Sequence, residues 1–214
     1  MTDFMTSRRK KLDLVISRPD GTIPAKSETF RGMVEKYNIP LSQEEAQKLR
    51  SVPDIAIADV GAVLVALEAK AVMTAHVKAL PRLYDELNSS HLCVHGASNQ
   101  ALAIGYVQIN LASKFVSSVA NSKATRETGM EVTENEQPKS TVRTIKKVSE
   151  LPRRSSTDGR GFDGIGITVL NFENRGGVVD IVSALPAPQP GDPFHYAGMI
   201  TRMGNEYDSR FHSI

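Results

Sequence analysis

Three of the four charged residues in the otherwise apolar segment 52–70 are of types that suit hydrolysis of a phosphodiester bond. Asp54 begins an alternating run, and Glu68 and Lys70 lie within a long apolar run. Two carboxylates a few ångströms apart repel each other unless a divalent cation lies between them, and oxygen ligands suit Mg²⁺. Such a cation activates water and offsets charge on a phosphodiester, while a neighbouring lysine orients the water or stabilises the transition state.

Strand pairing would bring these three side chains together. We predict that residues 54–73 form a β-hairpin that turns about Gly61. Asp54 and Glu68 are each seven positions from that turn, so they would lie opposite each other with Cβ atoms about 5 Å apart. Lys70 would share their face because side chains alternate along a strand. Asp59 would lie near the turn, away from Glu68, and Asp54 is therefore preferred.

The pattern Pro53-Asp54, thirteen residues, then Glu68-Ala69-Lys70 resembles the signature of PD-(D/E)xK nucleases, a superfamily that includes many type II restriction endonucleases. The resemblance implies an α/β (mixed) fold, in which a central mixed β-sheet carries a catalytic hairpin and is flanked by helices. It implies Asp54 and Glu68 as ligands of Mg²⁺, with the Ala69 carbonyl joining them and Mn²⁺ as a substitute metal. Lys70 would orient the water or stabilise charge.

Some members of this superfamily add an acid from a helix before the hairpin. Glu28 and Glu35 are both candidates for that role, and the sequence does not choose between them. Lys78 and Arg82 follow the predicted hairpin on the next helix and could contact DNA phosphates, although the same residues also suit a solvated helix face.

A structural interpretation accounts for the same residues without catalysis. Glu68 and Lys70 could form an ion pair within a buried strand, and Asp54 could cap a turn after Pro53. Charges inside an apolar run are costly unless they are paired or functional. The sequence leaves both interpretations open.

The expected function is Mg²⁺-dependent hydrolysis of DNA by a restriction-type or defence endonuclease. A small chain that cuts both strands is most simply a symmetric homodimer with two active sites. The alternatives are a structure-selective or exonucleolytic repair nuclease, a nuclease that acts on RNA, and a non-catalytic nucleic-acid-binding or assembly module.

Composition narrows the class of protein. The 214 residues fit one domain, 1–214, with an N-terminal arm over 1–25 and a flexible basic insertion over 117–160. Cys93 is the single cysteine, which excludes a disulfide scaffold. No secretory signal and no membrane-spanning stretch is predicted, so we expect a cytoplasmic protein. The net charge of +2 is too small to indicate nucleic acid by itself.

The remaining elements follow from periodicity and capping signals. Helices are predicted over 27–37, from the Ser42–Glu45 capping box to about 50, over 75–88, and over about 193–211. A short strand is predicted at 92–95, and a second hairpin pairs 165–170 with 178–182. The segment from about 99 to 116 is predicted as a helix, with a strand over 101–112 as the alternative.

Overall fold

The chain forms a mixed α/β fold, seen in a computed structural model that describes residues 7, 9–24, 26–122 and 129–212. Parts of the predicted arm (1–6, 8 and 25) and of the predicted insertion (123–128) lie outside these residues. The strands are β1 (Leu14–Pro19), β2 (Val60–Val72), β3 (Leu102–Asn110), β4 (Lys114–Phe115), β5 (Thr133–Glu134), β6 (Gly164–Asn171) and β7 (Asp180–Val182). The helices are α1 (Phe30–Lys36), α2 (Gln43–Ser51), α3 (His76–Ala97), α4 (Lys139–Ser149) and α5 (Tyr196–Phe211).

Five strands form the main sheet in the order β1-β2-β3-β6-β7. The pairs β2–β3 and β3–β6 are parallel, whereas β6–β7 is antiparallel. The sheet is therefore mixed, which confirms the mixed α/β part of the predicted fold class but not the restriction-endonuclease-like core with a catalytic hairpin. The predicted second hairpin is confirmed as β6 and β7.

The chain divides into two compact units, which are residues 16–63 and residues 1–15 with 64–214. The smaller unit contains α1 and α2. The Ser42 hydroxyl accepts from the Glu45 N–H at 3.2 Å, and the Glu45 carboxylate accepts from the Ser42 N–H at 2.8 Å. This reciprocal capping box confirms the predicted start of α2.

The predicted hairpin about Gly61 was wrong, because β2 begins at Val60 and runs through Gly61 to Val72 as a single strand. A Cβ on Gly61 would lie 2.9 Å from the carbonyl oxygens of Arg18 and Pro19. Glycine here permits close approach of two backbones rather than a turn. The residues before β2 pair elsewhere, since Ala56 forms an antiparallel bridge with Thr29.

The larger unit is built around β2, β3 and β6. Met199 and Met203 of α5 pack on one face of the sheet in a cluster with Val65, Leu102 and Ile104. The opposite face of β2 carries Glu68, and α3 contributes buried side chains such as Leu87. The cores on the two faces hold the central strands rigidly, which is what a site on β2 needs.

Three other predictions were wrong. Residues 92–95 belong to α3 rather than to a strand, and residues 102–110 form β3, which was the alternative to a helix. Within 117–160, residues 139–149 form α4 rather than a loop, with Ser140, Thr141, Thr144 and Val148 buried.

Among the described residues, no helix has the length and apolar character that crossing a membrane requires.

Candidate functional site

Glu68 is a buried acid in the middle of the sheet. Only 3% of its surface is exposed, and the residues on either side of it in β2 are apolar. It is in register with Gly105 of β3, which in turn is in register with Ile165 of β6. A carboxylate placed this deeply requires partners, because burying an unpaired charge is very costly.

Lys70 is the nearest partner of Glu68. Its Nζ lies 2.7 Å from Glu68 Oε1 and 3.2 Å from Glu86 Oε2 on α3. The two residues are two apart on a strand, so both side chains lie on the face that α3 covers. The predicted convergence of Glu68 and Lys70 is therefore present in the structure.

Three further residues complete an ion-pair cluster around Glu68. Lys10 Nζ lies 3.6 Å from Glu68 Oε1 and 3.0 Å from Ser89 Oγ, and it also donates to the Glu86 carbonyl. Arg82 Nε lies 2.5 Å from Glu86 Oε1. We call Lys10, Glu68, Lys70, Arg82 and Glu86 the Glu68 cluster. Three cations and two carboxylates give it a formal charge of +1.

The cluster fixes the charge states of its half-buried members, Lys70 and Glu86. Burial alone would lower the pKa of Lys70, but hydrogen bonds to Glu68 and Glu86 outweigh it and raise that pKa. The hydrogen bond from Arg82 lowers the pKa of Glu86, and the bond from Lys70 adds to this effect against the cost of burial. Lys70 and Glu86 therefore remain charged at neutral pH.

One oxygen of the cluster lacks a partner. Glu68 Oε2 is buried and accepts no hydrogen bond from the described part of the chain. Buried polar atoms are almost always paired, and an orphaned one is a place where a donor or a cation would fit. No group of three or more His, Cys, Asp or Glu residues that could hold a metal ion occurs within the described ranges. The unpaired Glu68 Oε2 is therefore a single buried acceptor and not part of a described group of three metal ligands.

Asp54 belongs to the smaller unit, where its carboxylate accepts a hydrogen bond from the Arg31 N–H at 3.2 Å. Arg31 lies in the first turn of α1, whose N–H groups lack partners within the helix. A carboxylate near a helix N-terminus is also favoured by the helix dipole. Asp54 is exposed and has this local role whatever else it does.

The other predicted residues are exposed. Glu28 forms an ion pair with Lys36 in the smaller unit, and Glu35 lies on α1 without burial. Lys78 lies in the first turn of α3, and Arg82 follows one turn later with 83% of its side chain exposed. Lys78 and Arg82 thus remain accessible to a ligand.

Sequence reasoning missed Lys10, Asp13 and Glu86. The Asp13 carboxylate accepts from the Ala69 N–H at 2.7 Å, so an acid of the N-terminal segment lies beside the Glu68-Ala69-Lys70 motif. Glu86 carries a local signal, because it is four residues after Arg82 on a helix. Lys10 carries no signal beyond its place in the basic run of residues 8–11, since its partners are distant in sequence.

A second buried charge centre surrounds Asp163, just before β6. Its carboxylate accepts from Arg154 and from Arg210, both at 2.9 Å, and from the Ala103 N–H at 2.7 Å. Burial would raise the pKa of Asp163, but the His95 ring nitrogen 3.5 Å away and hydrogen bonds from Arg154 and Ala103 hold that pKa well below its usual range. Asp163 is therefore an ionised anchor for two arginines.

Compared with protein-family models, with curated proteins and with solved structures, the chain shows no match.

Proposed function

We propose that this chain hydrolyses phosphodiester bonds in DNA with Mg²⁺, as a restriction-type or defence endonuclease. The observation that carries the proposal is Glu68, a carboxylate 3% exposed, with one oxygen unpaired and Lys70 2.7 Å from the other. Glu68 would hold the metal together with the Ala69 carbonyl. Asp54 enters as the second carboxylate from the sequence pattern alone. When bound, Mg²⁺ would activate water and offset the negative charge of the phosphodiester.

Lys70 is suited to act on the substrate. An ammonium group has three donors, and Glu68 and Glu86 use two of them. The third is left for a water molecule or a phosphate oxygen. The side chain is 26% exposed, so this donor can reach a ligand while its two carboxylates hold it in position. Its raised pKa keeps it cationic, which suits charge stabilisation rather than proton abstraction.

Lys78 and Arg82 would bind phosphates on the flank of the site. Both are exposed on the first turns of α3, the helix that also carries Glu86. Such contacts position a duplex without reading its sequence. A homodimer would supply a second active site for the other strand.

The proposal is tested by cleavage of plasmid and phage DNA with Mg²⁺ or Mn²⁺, with EDTA as the metal-free control. We expect Glu68→Gln and Lys70→Met to reduce the cleavage rate at least about a hundredfold, as loss of transition-state stabilisation does. Glu173→Gln and Lys114→Met are matched controls, because both residues are exposed and outside the Glu68 cluster. Wild-type rates in both site variants would refute the proposal.

A non-catalytic nucleic-acid-binding or assembly module is the second candidate. The observation that favours it is that Glu68 already has two lysine partners, and that no group of three or more His, Cys, Asp or Glu residues able to hold a metal ion occurs among the described residues. This candidate predicts no Mg²⁺ binding by calorimetry and no functional effect of Lys70→Ala beyond stability.

A further inference from the structure

A loop between α4 and β6 fixes two consecutive arginines at the amino end of β6. Arg153 forms a parallel bridge with Phe162, and the Phe162 N–H donates to the Pro152 carbonyl at 2.9 Å. Gly161 has φ +129°, and a Cβ there would lie 2.5 Å from the Pro152 oxygen. Only glycine fits this close return of the chain. The loop is therefore a built feature that holds Arg153 and Arg154 in place.

Arg154 forms the floor of this region. Its side chain has no exposed surface, and it donates to Asp163 and to the carbonyls of Asn99, Ala101 and Thr157. Four of its five N–H donors are thus occupied, and these four hydrogen bonds fix its position. A fixed cation of this kind contributes a constant positive potential to the surface above it.

Two adjoining concavities lie over Arg154, with volumes of about 570 Å³ and 360 Å³. They share Arg154, Ser155, Asp163 and Arg202. Arg153 lines the first, and Arg210 lines the second. We call the two together the arginine pocket. Four arginines line it against two carboxylates, Asp163 and Glu206, so its formal charge is +2.

The open donors of the pocket come from three arginines. Arg210 donates through Nε to Glu206 and through Nη2 to Asp163, whereas its Nη1 is buried and has no partner in the described structure. Arg202 donates through Nη2 to the Pro193 carbonyl at 2.6 Å and is exposed. Arg153 is exposed, with its guanidinium 4.8 Å from the centre of the Phe194 ring. An anion would satisfy the orphaned nitrogen and bridge these cations.

We propose that the arginine pocket binds a phosphate group. Guanidinium forks match phosphate oxygens in pairs, and a volume of several hundred cubic ångströms accommodates a nucleotide-sized ligand. The phosphate belongs either to a DNA backbone or to a free nucleotide, which present the same chemistry to the pocket. The site is separate from the Glu68 cluster and does not depend on the proposed nuclease activity.

The first test is to measure the binding of inorganic phosphate to the full chain by calorimetry at constant ionic strength. We expect saturable binding with a Kd in the millimolar range or tighter. Arg153→Gln and Arg202→Gln should each weaken it about five- to tenfold, as loss of a charge-assisted hydrogen bond does. Both residues are exposed, so the variants should fold, which circular dichroism checks. Arg143→Gln is the matched control, because it removes the same charge from an exposed position on α4.

Competition then identifies the source of the phosphate. Displacement of inorganic phosphate by a short DNA duplex, lost in Arg202→Gln, assigns the pocket to a DNA backbone. Displacement by adenosine monophosphate but not by the duplex assigns it to a small nucleotide. The proposal is overturned if phosphate shows no saturable binding, or if Arg143→Gln weakens binding as much as the pocket variants do. Cleavage of DNA plays no part in this readout, so the outcome is independent of the nuclease proposal.

Discussion

Replacement of Lys70 by methionine would leave the Glu68 carboxylate buried with a poorer partner. Methionine keeps most of the aliphatic bulk of lysine, so packing changes little. The 2.7 Å ion pair is lost, and Lys10 remains at 3.6 Å. Breaking a buried ion pair from one side typically costs about 3–5 kcal/mol. We expect about 2–3 kcal/mol here, because Lys70 is 26% exposed and Lys10 remains.

A double variant separates the charge effect from packing. Lys70→Met leaves the buried charge of Glu68 without its nearest partner, and Glu68→Gln removes that charge. The double variant Glu68→Gln/Lys70→Met should therefore be more stable than Lys70→Met alone. The coupling between the two positions should be about 1–2 kcal/mol. The free energy of unfolding is measured by urea denaturation at neutral pH, followed by far-ultraviolet circular dichroism because the chain has no tryptophan.

The same variants report on the metal. Mg²⁺ bound at Glu68 should stabilise Lys70→Met and not the double variant. At ten times Kd the stabilisation is about 1.4 kcal/mol. If Lys70→Met is as stable as the wild-type protein, or if the double variant is the less stable of the two, the reasoning about a buried charged Glu68 is refuted. Stability that is indifferent to Mg²⁺ would instead favour the non-catalytic module.

Three further predictions concern other sites. Asp54→Asn keeps an oxygen that accepts from the Arg31 N–H but loses the charge. We therefore expect the free energy of unfolding to change by under about 1 kcal/mol, whereas Mg²⁺-dependent cleavage of DNA should be lost. Cleavage at the wild-type rate would leave Asp54 only its helix-capping role. Burial, aided by the charges of His95 and Arg154, lowers the pKa of His91 from 6.5 to about 4. Protonation of this side chain therefore favours the unfolded state. The free energy of unfolding should be highest above pH 6.5 and should fall by up to about 3 kcal/mol as the pH approaches 4. Urea titrations across that window check this, and an unchanged pH dependence in His91→Gln would contradict it. Gly161→Ala should destabilise the chain by about 1–3 kcal/mol and weaken phosphate binding, because alanine fits neither φ +129° nor the space beside the Pro152 oxygen. Unchanged unfolding and binding curves would argue against a loop that depends on this glycine.

Local signals predicted much of the fold. The capping box at Ser42 and Glu45 depends on residues three apart, and it is present as predicted. The β6–β7 hairpin and α5 also follow from alternation, turn residues and an apolar stripe near in sequence. Such elements are specified by residues close together in sequence, and all three are present in the structure.

Elements whose burial depends on distant partners were predicted poorly. β3 lies between β2 and β6 and is buried on both faces, so it shows no alternation that would distinguish it from a helix. α4 buries Ser140, Thr141 and Thr144, which resemble a loop in a hydropathy pattern. Gly61 resembles a turn residue, although it lies within a strand because of close contact with the carbonyls of residues 18 and 19.

The candidate site divides in the same way. Glu68 and Lys70 are two residues apart on a strand, and their shared face follows from that spacing alone. Glu86 pairs with Lys70 from 16 positions away, and Lys10 pairs with Glu68 from 58 positions away. No period in the sequence specifies such contacts. The pairing of Asp54 with Glu68 depended on the turn at Gly61, so the failure of that hairpin removes the geometric argument for it and leaves the motif.

The Asp163 centre constrains how this sequence can change over evolutionary time. Loss of Asp163 would leave the buried cations of Arg154 and Arg210 without their shared carboxylate. Loss of Arg154 would leave the Asp163 carboxylate and the Ala101 carbonyl without a donor that they have in the structure. Single replacements at any of the three positions therefore pass through a destabilised intermediate. In an alignment of related chains we expect the three residues to be retained together or exchanged together, so that covariation among positions 154, 163 and 210 marks chains that share this architecture.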